Sequence, residues 1–167
     1  MKFKGRFSLP TLNLSAYRRA LHQQLSEATA EAAYAWLSAA TPGIPTWSGA
    51  SRGTFLPLAR EAGFRLSIDP VVQTDINTGE SASTGTIEAD STTGLYRFTY
   101  TTLLEHLIYN EYNNANRNPD RTLFFRLRNP GPYRFQDKGR AAYFKVARST
   151  RLPNPFGFIR VKRRTVG

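Results

Sequence analysis

Between Ser15 and Ala40 the apolar residues recur at the helical period, and no other stretch limits the fold as tightly. Leu14, Tyr17, Leu21, Leu25, Ala28, Ala32, Ala35 and Ala39 follow one another at steps of three and four, and Trp36 widens the stripe near its end. This spacing predicts one long helix. Asn13 or Ser15 can cap its start, because a short side-chain oxygen accepts from the unpaired amides of a first turn. Thr41-Pro42-Gly43 ends it, since proline has no amide donor and clashes with the turn before it. The many alanines on the stripe permit close approach by a sheet of the same chain or by a second subunit.

The remainder alternates between short apolar runs and polar breaks. Residues 41–53 read as a Pro/Gly/Ser loop, and Thr54–Ala62 as a turn of helix ended by Gly63. Phe64–Ile68 alternates as a strand stopped by Asp69-Pro70, and Val71–Ile76 continues extended. Asn77–Gly94 is nearly all small and polar, with Ile87 its only large apolar residue, and is expected to be a long mobile hairpin loop. Leu95–Thr101 alternates again, with Tyr96, Phe98 and Tyr100 on one face. Leu103–Tyr112 suits a helix or a buried strand, of which the strand is preferred, and Thr122–Leu127 is a further strand. A second helix is expected at Gln136–Ser149, with Ala141, Phe144 and Ala147 or Arg148 facing inward and Lys138, Lys145 and Arg151 outward. The expected class is therefore α+β: a long N-terminal helix, an antiparallel sheet of about four strands, and a C-terminal helix. Residues 1–149 form one domain and residues 150–167 a basic arm with little of its own domain to pack against.

Charge is partitioned sharply. Residues 1–125 carry 11 basic and 11 acidic side chains, whereas residues 126–167 carry 12 basic side chains and a single acid, Asp137. Such asymmetry suits an interaction with nucleic acid or with an acidic protein surface, although a solvated basic face reads the same way. Arg148, Arg151, Arg160, Lys162, Arg163 and Arg164 are the candidate contacts, interleaved with aromatics such as Phe156 and Phe158. The chain has no cysteine, so thiolate metal sites and disulfides are excluded. No apolar run reaches the roughly 20 residues of a membrane span, and no apolar segment follows the basic N-terminus as a signal peptide requires.

One catalytic pattern is present. Gly49-Ala50-Ser51-Arg52-Gly53 matches the G-x-S-x-G serine elbow, with Asp69, Asp75 or Asp90 and then His106 in the required order. The preceding segment, however, is a proline-broken loop where an elbow needs a buried strand, and a five-residue pattern is easily met by chance. His22 is expected on the surface and His106 in an ordinary pair with Glu105. Neither has a second histidine nearby, so no catalytic residue, metal or cofactor is expected.

Three segments, in order, resemble the neck and tail-completion proteins of long-tailed bacteriophages. The loop after the long helix, Pro45-Thr46-Trp47-Ser48-Gly49-Ala50-Ser51-Arg52-Gly53-Thr54, is similar to the family's P-V-D-T-G-x-x-R-x-S, with Trp47 in the aspartate place. Tyr109, Glu111 and Tyr112 match an aromatic strand end, with Asn113 in a glycine place. Pro130-Gly131-Pro132-Tyr133 matches a Pro-x-Pro-aromatic turn opening the last helix. The resemblance covers roughly residues 14–149. It implies a non-enzymatic virion protein, made in the host cytoplasm, that forms a ring, commonly a hexamer. That ring lies between the head-completion or connector protein and the tail-tube or tail-terminator protein, where packaged DNA passes. A basic nucleic-acid-binding protein is the alternative, and a serine hydrolase at Ser51 a remote one.

Overall fold

The computed structural model describes residues 6–44, 49–67, 75–104, 107 and 134–165, of which 6–10, 43 and 161–165 are described by their backbone. It is mixed helix and sheet. In chain order the elements are β1 (Arg6–Leu12), α1 (Leu14–Ala40), α2 (Ala50–Gly53), α3 (Leu56–Glu61), α4 (Ile76–Ser81), β2 (Ser83–Asp90), β3 (Leu95–Thr102), α5 (Phe135–Ser149) and β4 (Ile159–Thr165). Among the described residues the strands form two antiparallel two-stranded sheets, β2–β3 and β1–β4.

Helix α1 has 27 residues and is roughly 40 Å long at 1.5 Å per residue. Asn13 caps it: its Oδ1 accepts the Ala16 amide at 3.2 Å. At the other end the Thr41 hydroxyl donates to the Leu37 carbonyl at 2.9 Å, occupying a carbonyl of the final turn. The face that α1 buries is rotated from the expected stripe. Ala32, Ala33, Trp36, Leu37 and Ala40 are buried, while Ala35 and Ala39 are only half-covered and Leu14 is exposed. The core therefore gathers around the C-terminal half of the helix. There Phe55 stacks on Tyr100 with centroids 4.8 Å apart and meets Phe135 edge-on at 5.7 Å, and Trp36 touches all three rings. Leu37, Leu58 and Leu107 fill the space between them.

Helix α5 lies antiparallel along α1, with Gly139 against the Trp36 indole. A side chain at 139 would overlap that ring, so glycine sets how closely the two helices approach. The inward residues of α5 are Phe135, Gly139 and Val146. The expected set of Ala141, Phe144, Ala147 and Arg148 is exposed, whereas Lys138, Lys145 and Arg151 are outward as expected. The reason is that α5 contributes one ring and a gap for a ring, not an apolar stripe.

The polar stretch 77–94 is not a long loop. Its first part completes α4, and residues 83–90 form β2, paired with β3 so that Ile87 lies opposite Phe98 and Gly85 opposite Tyr100. Those pairs face α1 and α3, and the outer face carries threonines and the Arg97–Glu88 ion pair at 2.6 Å. Only 91–94 form the turn. Phe64–Ser67 takes no strand conformation, and neither do Leu103, Leu104 and the helical Leu107 within the run preferred as a strand. The strand expected at 122–127 lies outside the described residues. The expected arm also differs: after a 3-10 turn at Pro155–Phe158, residues 159–165 form β4 and pair antiparallel with β1.

The β2–β3 turn makes a pH prediction. Asp90 accepts from the Thr92 amide and the Thr93 hydroxyl, each at 2.7 Å, and from the Thr92 hydroxyl. The Thr92 hydroxyl bond is the largest cause holding its carboxyl down at about 2. A depressed folded pKa gives stability that is complete above the ordinary carboxylate range and is lost as pH falls through about 2. Thermal melts from pH 5 downward should show Asp90→Asn converging on the wild type below pH 4, with a carboxyl NMR titration placing the midpoint well below the usual value.

Candidate functional site

The residues of the family-like loop that fall within the described set build the core. Gly49, at φ +82°, enters α2 in the left-handed region that glycine tolerates. Arg52 donates to the Ser67 carbonyl at 2.6 Å. Thr54 is fully buried: its hydroxyl donates to the Ser51 carbonyl at 2.7 Å and accepts from the Tyr100 hydroxyl at 2.8 Å. Burial pushes the Tyr100 phenol well above its ordinary pKa, so it remains a donor across the accessible pH range. Loop, helix α2 and strand β3 are thereby stitched together. Pro45 and Ser48 lie outside the described residues, as do Tyr109, Glu111, Tyr112, Pro130, Pro132 and Tyr133.

Ser51 lies in the first turn of α2 and is 7% exposed. An esterase serine stands raised above a sheet, accessible to substrate; Ser51 is inside. His106 is outside the described residues. His22, expected on the surface, is half-buried, its Nδ1 2.9 Å from the Tyr96 hydroxyl across the α1–β3 contact. Among the described residues no three metal-ligating side chains converge, and no helix is long and apolar enough to cross a membrane.

What the structure does present is a groove of about 600 Å³ between α1, β3 and α5. Leu25, Ala28, Ala32 and Trp36 of α1, Ala147 of α5 and Leu152 line it. Tyr96, Phe98 and Tyr143 supply aromatic walls, with the Phe98 and Tyr143 rings 6.0 Å apart. Arg97 and Arg140 stand at its edges, and among the described residues no carboxylate lines it. Beside it the Arg140 guanidinium lies 5.6 Å from the Phe144 ring centre, which is itself 41% exposed. Leu152 and Phe156 are 58% and 75% exposed. The described lining is thus mainly aliphatic and aromatic, with Arg97, ion-paired to Glu88, and Arg140 beside it.

Sequence reasoning points to the alanines of α1 and to both faces of β3 but not to their convergence with α5, because the apolar pattern of α5 indicates a different inner face. Of the candidate basic residues, Arg148, Arg151 and Arg160 are exposed, while Lys162, Arg163 and Arg164 belong to β4. No protein-family model, curated relative or solved structure matches this chain.

Proposed function

We propose that this chain is a structural subunit of the neck of a long-tailed bacteriophage, a tail-completion or head–tail connector protein that works as a ring of identical copies. The observation that carries the reading is the groove between α1, β3 and α5, with its arginine and aromatic lining. Arginine and aromatic residues are the types enriched where protein surfaces meet, and both line this groove. A cyclic ring needs two different matching patches on each copy. The groove is one of them, and a neighbouring subunit covers it.

The long helix α1 followed by the Gly49–Thr54 segment supports this reading, while the other resembling segments, 108–113 and 130–133, lie outside the described residues. In this reading the ring joins the head connector to the tail tube, and its partners are copies of itself and those two neighbours. The role is mechanical, without catalysis or cofactor.

The test is sedimentation of the wild type and of Ala147→Arg. Ala147 is exposed in the lone subunit and lines the groove, so the longer side chain leaves the fold intact. We expect a concentration-dependent oligomer for the wild type and a folded monomer for the variant. An unchanged oligomer in Ala147→Arg removes the groove from the interface.

A further inference from the structure

We infer that the β1–β4 ribbon is a binding element for double-stranded DNA. The ribbon gathers both ends of the described chain: Arg6 pairs with Thr165, and the ladder runs through to Leu12 and Ile159. Its two strands, RFSLPTL and IRVKRRT, contain five basic residues and no acidic one. By register, Arg160, Lys162 and Arg164 stand at alternate positions of β4, on the face they share with Thr11, Leu9 and Phe7; Arg163 and Arg6 belong to the other face. Alternate strand positions repeat about every 6.6 Å, so basic residues recur at a regular spacing along β4.

The ribbon is anchored at one end. The Asn13 amide donates to the Phe158 carbonyl at 3.0 Å and Tyr17 meets Phe158 edge-on at 5.6 Å, which fixes the ribbon to the N-terminal end of α1. The core lies at the other end of that helix. Among the described residues no helix or second sheet packs substantially against the ribbon. A two-stranded sheet alone is marginally stable in water, and the charge of this one suits a polyanionic partner. Exposed Arg148 and Arg151 extend the same sign along the approach to the ribbon, without an intervening acid. A polyanion with evenly spaced charges fits, and the major groove of duplex DNA admits a two-stranded ribbon of this width. The inference does not rest on ring formation, because a single subunit carries the whole ribbon.

The experiment measures fluorescence anisotropy of a labelled, mixed-sequence duplex with the full-length chain across a salt series. Binding should weaken steeply with salt, and Arg160→Ala/Lys162→Ala/Arg164→Ala should flatten the log–log slope by about 2.7, at roughly 0.9 for each phosphate no longer neutralised. Arg160→Lys/Arg164→Lys keeps the charge and should keep the slope, which separates the effect of charge from that of a disturbed ribbon. Arg65→Ala/Lys138→Ala, exposed positions near the core end, should leave the slope within about 0.9 of the wild type. No binding at low salt overturns the inference, as does a slope the triple variant does not change. Equal competition by polyglutamate at matched charge would assign the ribbon to an acidic protein instead, and tighter binding of the single strand would refute the duplex.

Discussion

Replacing Phe55 by alanine is expected to cost about 3–5 kcal/mol of unfolding free energy, the range for deleting a fully buried aromatic ring. Phe55 is 0% exposed, stacked on Tyr100 and met by Trp36 and Phe135. No neighbour can collapse into the vacated space without breaking one of those ring contacts or drawing Tyr100 away from Thr54. Urea denaturation should show the midpoint falling sharply with the slope unchanged. Phe156→Ala, at a ring 75% exposed, should move it by no more than about 0.5 kcal/mol. Similar destabilisation at both positions would mean that the ring cluster is not the core.

Gly79→Ala is the second large effect, and its sign is not obvious from the helix alone. Within an exposed helix, alanine in place of glycine is favourable by about 1 kcal/mol. Here a methyl group on residue 79 of α4 would run into the Ala50 carbonyl of α2, while Gly53 of α2 is pressed in the same way against Ile76 of α4. Both obstacles are backbone and cannot rotate aside. Overpacking of this kind costs about 1–3 kcal/mol and can cost more, so the steric term outweighs propensity and the variant should be less stable. Gly157→Ala meets nothing within 4 Å and serves as the neutral control. A stabilised Gly79→Ala would show that α2 and α4 do not cross this closely.

The two long helices are legible in the sequence because Leu14–Ala40 repeats at a helical period with a capping asparagine before it, and because Phe135–Ser149 follows a proline-rich break. Strand β3 is legible because Tyr96, Phe98 and Tyr100 alternate with polar residues. Its partner β2 is not. Ser83–Asp90 has one large apolar residue, and its inner face is completed by residues of β3: Gly85 works as a strand residue because Tyr100 lies opposite and Leu58 fills the space beneath it. Cross-strand neighbours of this sort decide strand formation more than intrinsic preference does.

The β1–β4 ribbon is hidden for a different reason. Its strands lie at opposite ends of the chain, so no local turn signal joins them, and Pro10 argues against a strand except at an edge, which is where it sits. The groove is hidden because it depends on which side of α5 faces α1. That choice follows from Gly139 seating the Trp36 ring, a close approach that no apolar period records. The residues that read most like a motif, Gly49, Arg52 and Thr54, are fasteners of the core. The groove is assembled from residues far apart in sequence.

Under the proposed reading this subunit functions covered by copies of itself, so negative-stain electron microscopy of the purified protein should show closed rings of uniform copy number, which Ala147→Arg disperses into single folded subunits. Fields of isolated monomers at every protein concentration, with no particle joining phage connectors or tails, would contradict it.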